Sequence, residues 1–150
     1  MCRIRSATNT TLPVNVPRAR IDGWTLGYEG RLADVALRAN FEHLDPRNEV
    51  NGRQLPRRAK RQVNLGADWK HGAWGFGGAL LHVGSRFDDA ANTRALPAYA
   101  TLDLHVDRQL APQWSLQAKV NNLTDREYET ATGYRQPGRQ LFVTLRWQAK

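Results

Sequence analysis

The sequence predicts an all-β chain: an antiparallel sheet of about seven strands, one side apolar and the other largely polar. Three observations predict it. Apolar residues recur at every second position in successive segments, which puts them on one face of a strand. The connections between segments alternate short and long, so in antiparallel order the short turns share one edge and the long loops the other. Four of the five tryptophans sit at the short-turn edge, all in the apolar phase. A transmembrane β-barrel segment has all three features, because indole rings favour the membrane–water interface. A soluble sheet with one face on a core explains the alternation equally well. It explains the gathered tryptophans poorly.

In chain order, residues 1–17 hold Pro13 and Pro17 among small polar residues and read as a loop or disordered N-terminus. Trp24, Leu26 and Tyr28 then alternate with Thr25, Gly27 and Glu29, up to a tight turn near Gly30–Leu32. Val35, Leu37, Ala39 and Phe41 follow, against Arg38, Asn40 and Glu42. A long polar loop is expected from Asp45 to Pro56. The third segment sets Val63, Leu65, Ala67 and Trp69 against Gln62, Asn64 and Asp68, and turns at Lys70-His71-Gly72. The fourth sets Trp74, Phe76 and Leu80 against Gly75, Gly77 and Ala79, with its phase blurring after Leu81.

A second long loop spans Phe87 to Pro97. Leu102, Leu104 and Val106 next oppose Thr101, Asp103, His105 and Asp107. A short turn at Ala111-Pro112-Gln113 leads to Trp114, Leu116, Ala118 and Val120, against Ser115, Gln117, Lys119 and Asn121. The third long loop runs from Thr124 to Gly138. The last strand carries Leu141, Val143, Leu145 and Trp147 on one face, with Gln140, Thr144 and Arg146 between them. Most of these segments are about the 9–11 residues that cross a bilayer at a tilt.

Composition bounds the function. A chain of 150 residues with 41% hydrophobic content has the size of one domain. Mean hydropathy is −0.62, and no run approaches the roughly 18 apolar residues of a membrane helix. That test is weak for barrels, whose strands are apolar only at alternate positions. The opening MCRIRSATNTTLPV has no apolar core of a signal peptide. One cysteine forms no internal disulfide. The net charge of +8 raises nucleic acid as a partner. That partner needs aromatics interleaved with the basic residues on one face. Arg57, Arg58, Lys60 and Arg61 form the densest basic run, but the aromatics follow in the opposite, apolar phase. No nucleic-acid partner is therefore expected. The run reads first as a solvated strand end, and on a barrel as a contact for lipid phosphates.

The final stretch, Asn-Leu-Thr-Asp-Arg-Glu-Tyr from Asn122 and Gly-Tyr-x-x-Pro-Gly-Arg from Gly133, resembles the C-terminal motif of TonB-dependent outer-membrane receptors. Within that family the likeness is greatest to vitamin B12 (cobalamin) receptors. It is carried by Pro17-Arg18-Ala19-Arg20-Ile21-Asp22-Gly23, Arg57-Arg58-Ala59-Lys60 and Val83-Gly84-Ser85-Arg86-Phe87-Asp88, in that order. The resemblance implies a 22-stranded barrel plugged by an N-terminal domain, of which residues 18–147 would be about the last seven strands and 148–150 a tail.

It also implies energised uptake of a scarce ligand, with no chemistry on it and no cofactor. The implied place is the bacterial outer membrane. The implied partners are outer-membrane lipid, the rest of the barrel and plug, a cobalamin-like ligand, and TonB through an N-terminal part that this sequence lacks. Residues 1–14 match nothing recognisable in the family. By resemblance, Arg57 contacts the ligand. An aromatic expected after Arg86-Phe87-Asp88 is replaced by Asp89-Ala90-Ala91.

The polar phase supplies the expected lumen wall: Gln62, Asn64, Asp68, Asp103, His105, Ser115, Gln117, Lys119 and Arg146. The expected lipid-interface girdle is Trp69, Trp74, Trp114 and Trp147. Asp103, His105 and Asp107 share a side in steps of two, but a closed zinc site needs four ligands, so no metal is expected. No Ser/His/Asp arrangement, phosphate-cradling glycine loop or paired carboxylate cleft appears, and no enzyme is expected. Two rivals stay open at this point. One is a non-functional remnant of a split receptor gene. The other is a small basic soluble β protein that binds nucleic acid or another polyanion.

Overall fold

The computed structural model of the chain describes residues 18–149. The expected N-terminal loop, residues 1–17, and Lys150 of the expected tail lie outside the described residues. The strands are β1 (Ala19–Leu32), β2 (Val35–Asn48), β3 (Arg61–His71), β4 (Trp74–Val83), β5 (Arg86–Phe87), β6 (Ala95–Leu96), β7 (Tyr99–Ala111), β8 (Trp114–Asn121), β9 (Glu129–Ala131), β10 (Tyr134–Arg135) and β11 (Gln140–Trp147). Seven of them form one sheet in the order β1-β2-β3-β4-β7-β8-β11, and every pairing is antiparallel. The sheet ends on β1 and β11, two open edges. No described helix is long and apolar enough to cross a membrane, which says nothing about strands.

Register carries the alternation of single strands across the whole sheet. Leu26 pairs with Phe41, Phe41 with Val63, Leu65 with Leu80, Leu80 with Leu102, Leu104 with Val120, and Val120 with Leu141. One face is therefore apolar from edge to edge. It is also uncovered: Leu26, Leu141 and Val143 are each more than 65% exposed. In water such a continuous patch is a liability. Against acyl chains it is the expected surface.

Local details depart from the sequence reading where turn chemistry is weak. The first turn is Ala33–Asp34, beyond Gly30, because the ladder continues until Leu32 meets Val35. Ala33 takes the left-handed φ of 51° there. Gly72, with φ 58°, makes the second turn with Ala73, one residue later than expected. The expected loop from Asp45 begins late as well. β2 runs on to Asn48, pairing Pro46 with Ile21, and Gln54 then bridges back to Arg47. The other two long loops carry small hairpins, β5 with β6 and β9 with β10.

β4 keeps its register through Val83, although its sequence pattern blurs after Leu81. The blur has a physical cause. Val83 lies on the polar-phase side, opposite Tyr99, at the end where loops fold over the sheet. Val83, Leu96, Tyr99 and Ala131 are buried there as a small core. An apolar residue in the polar phase is thus the mark of a covered strand end.

Candidate functional site

The polar face is built by register. Asp68 pairs with Gly77, Gly77 with His105, and His105 with Lys119, so four strands place these residues in one row. Gly77 decides what the row does. A Cβ there would collide with both the His105 ring and the Asp68 carboxylate. With no side chain between them, His105 Nε2 reaches Asp68 Oδ1 at 3.5 Å and Asp107 Oδ2 at 3.4 Å. Arg38 pairs with Asp68 from the β2 side. Gln117 Nε2 donates to Asp107 Oδ1 at 2.7 Å from the β8 side. Five side chains from β2, β3, β7 and β8 thus form one polar band.

All nine residues expected on the polar face belong to strands of the main sheet and to that phase. Asp68, His105 and Gln117 join the band. Asp103 serves elsewhere, accepting from the backbone N–H of Asn122 at 2.9 Å. Ser115 and Arg146 are register partners nearer the turns. Asp103, His105 and Asp107 do not gather around a point, and no group of three metal-ligating residues occurs among the described residues.

The loop edge forms a second assembly. Arg57, with φ 58°, has its side chain 59% exposed; its Nε donates to Asp88 Oδ1 at 2.6 Å. Its backbone N–H donates to Phe87 O at 2.6 Å. Burial pushes the Asp88 carboxyl up. Hydrogen bonds from Arg57 and Thr132 outweigh it and hold the group below its ordinary pKa. Through Arg57, Asp88 therefore ties the first long loop to the second. Gln54 and Asn92 exchange two hydrogen bonds of 2.9 Å between the first and second loops. Arg86, only 5% exposed, lies over the Tyr99 ring and donates to Glu129 O at 2.8 Å. Tyr99 in turn stacks on Tyr128 at 4.1 Å. Beside this stack a cavity of about 570 Å³ opens between the second and third loops, lined by Arg94, Leu96, Arg126, Tyr128 and Arg135 among others.

The sequence reading singled out Arg57 and assigned no site role to Arg38, Asp88, Arg86 or Tyr128. Gly77, a glycine in the polar phase beside charged strands, is the one sequence signal that could have pointed to the His105–Asp68 contact.

Trp69, Trp74, Trp114 and Trp147 lie at the turn edge of the sheet. Trp69 stacks on Phe76 at 5.6 Å, Trp74 lies 6.1 Å from Phe76 with Arg108 over it at 4.6 Å, and Trp114 meets Trp147 at 6.5 Å. Trp24 lies near the other end of the same face, against Phe41 at 5.2 Å.

The family described as TonB dependent receptor-like, beta-barrel matches residues 3–123. The match takes in opening residues that inspection of the sequence left unassigned. The chain is 25% identical over 137 residues to the vitamin B12 transporter BtuB of Photobacterium profundum, covering 91% of this chain and 23% of that protein. It is 28% identical over 141 residues to the BtuB of Vibrio vulnificus, with the same coverage of 91% and 23%. The chain thus spans about a quarter of the length of these relatives. Among solved structures, the siderophore receptor PiuA from Acinetobacter baumannii superposes with a TM-score of 0.78 at 23% identity, over 86% of this chain and 22% of that one. The copper transporter OprC superposes with a TM-score of 0.71 at 18% identity, over 86% and 24%. These likenesses establish the fold.

Proposed function

The chain belongs to the TonB-dependent receptor-like β-barrel family, and from that premise we propose that it is the C-terminal wall of a receptor that imports cobalamin or a related corrinoid. Its place is the bacterial outer membrane, and its relatives named above are transporters and receptors, not enzymes. The observation that carries the cargo is the match of 91% of the chain to proteins named vitamin B12 transporters.

The proposed mechanism needs binding and gated passage only. The apolar face meets lipid. The polar face, with Gln62, Asn64, Asp68, Asp103, His105, Ser115, Gln117, Lys119 and Arg146, lines the lumen and meets the plug. The open edges of β1 and β11 pair with the remaining strands of the barrel, because an unpaired edge in a bilayer leaves backbone groups without partners. The loop edge faces outward. There Arg57 offers a half-exposed guanidinium, held in place by Asp88, to amide or phosphate oxygens of the ligand. Release inward is driven by TonB acting on the plug.

The test is uptake of labelled cyanocobalamin by cells that express the chain with the rest of its barrel and plug. A heat-modifiable outer-membrane band and saturable uptake are expected. Arg57→Ala should weaken binding by about tenfold, the scale of one charge-assisted hydrogen bond. A heat-modifiable band with no cobalamin binding would discard the cargo and keep the barrel. A folded monomer in plain buffer would discard the membrane placement.

A further inference from the structure

Phe142 breaks the polar phase of the last strand. It stands between Gln140 and Thr144, in the row that runs Asp68, Gly77, His105, Lys119, Phe142 across the sheet. Its side chain is an aromatic ring, and the residue is 46% exposed. Apart from Leu110, in the bulge of β7, one other large apolar residue of the main sheet is exposed in this phase among the described residues: Ile21, at 50%. Ile21 lies on β1 and Phe142 on β11, so these two residues sit on the two open edges. Ile21 belongs to the loop end, beyond His43–Arg61, the last rung of β2 on β3. Phe142 lies in the body of the sheet. Among the described residues, no aromatic pair and no cation–π contact involves it.

The inner strands show how this face accommodates large side chains. Each is set beside a glycine of the next strand. Arg38 pairs with Gly66, Asp107 with Gly75, His105 with Gly77, and Leu44 with Gly23. In every case a Cβ added to the glycine would meet the side chain of that register partner. A strand glycine marks a close approach, and a large cross-strand neighbour covers the backbone it bares. Phe142 has no such glycine on β8, where its partner is Lys119. Its other flank is the open edge.

Strand direction limits what can fill that edge. The seven strands alternate in direction, so β1 and β11, first and seventh in order, run the same way. A second copy in the same membrane orientation therefore offers only edges parallel to β11. All six pairings of the main sheet are antiparallel. The neighbour that continues this pattern is a different strand, running the opposite way.

We propose that the strand that closes the barrel against β11 carries a glycine directly opposite Phe142, and that the ring covers it. The inference rests on the barrel reading above and names the chemistry of the seam. The ring leaves the water of the lumen by lying on bare backbone, as the His105 ring does over Gly77. It then fixes the register of the closing strand, because a slip of one residue would set it on the other face and a slip of two would set it against a side chain.

The test uses the full chain with Cys2→Ser and Phe142→Cys, assembled with the remainder of its barrel and plug. Single cysteines are placed along the strand that adjoins β11 and over the plug. Disulfide formation under mild oxidation is read on a non-reducing gel. One position of the adjoining strand should cross-link most strongly, and its native residue should be glycine. In the receptor that keeps Phe142, Gly→Val there should lower the heat-modification transition by about 3 °C. Phe142→Ala placed on top should return most of that loss, since both changes act in one space.

A residue with a side chain at the cross-linked position would overturn the proposal. So would strictly additive losses, or cross-links to the plug alone, which would make the plug the cover of the ring. If those results come from heat-modifiable protein, the barrel reading survives. If no heat-modifiable band forms, both fall.

Discussion

His105 Nε2 and Asp68 Oδ1 lie 3.5 Å apart across two strand pairings, over Gly77, the one residue between them with no side chain. The contact exists because that position is empty. Gly77→Ala should push the His105 ring off Asp68 and destabilise the assembled barrel by about 1–3 kcal/mol, the usual cost of overpacking. Heat-modifiability on a gel would record a lower transition temperature. His105→Ala placed on top of Gly77→Ala should recover part of the loss, since the two changes share one space. Strictly additive losses would refute the shared-space account.

The Arg57–Asp88 tie has a defined pH dependence. The folded Asp88 carboxyl has a depressed pKa, burial being outweighed by the Arg57 and Thr132 bonds. Its contribution is therefore complete above the ordinary carboxylate pKa of about 3.9 and disappears as pH falls through the lower folded value. Protease cleavage in the loops, followed with an acid-active protease, should stay slow at pH 5 and rise only below about pH 4. Asp88→Asn should give fast cleavage at both. Slow cleavage in the variant would show that the loops hold together without the ion pair.

Much of this was legible in the sequence, and the reason is period. A strand alternates every two residues, so a one-residue error in register would reverse every face. The seven main strands and both faces follow from that alone. Turn positions were less legible, because Ala33–Asp34 has neither the glycine nor the asparagine that marks a hairpin. The loop assembly was hidden for another reason. Arg57 with Asp88, and Arg86 with Tyr99 and Tyr128, join residues 13 to 42 positions apart whose spacing has no periodic signal. Only folding over the strand ends brings them together.

Asn122 is the post that holds the third long loop. It is 5% exposed, with a left-handed φ of 49°. Its side chain accepts from Arg126 N at 2.9 Å and donates to Arg126 O at 3.0 Å and Pro137 O at 3.3 Å. Asn122→Ala loses these bonds and meets the left-handed conformation without asparagine's tolerance for it, for a loss of roughly 2–4 kcal/mol. Asn122→Gly keeps the backbone and loses only the bonds, so it should cost less. Hydrogen exchange over residues 122–139 would separate the two. Equal protection in both variants would mean that φ contributes nothing.

The tryptophans offer the most direct measure of depth. Trp114 and Trp147 are register partners with ring centroids 6.5 Å apart, and Trp69 and Trp74 flank the neighbouring turn with 40% and 41% of their surface exposed. If this edge is an interfacial girdle, single-tryptophan variants at 69, 74, 114 and 147 share one depth. Lipids brominated near the headgroup should quench all four strongly, and lipids brominated near the chain end should quench them weakly. Leu65→Trp, on the same face but between the two margins, should show the reverse order. Trp114→Ala should also lower barrel stability by about 1 kcal/mol through the lost aromatic pair, with little further loss when Trp147→Ala is added. Quenching of all positions alike by shallow and deep bromines, or by neither, would place this face somewhere other than a bilayer.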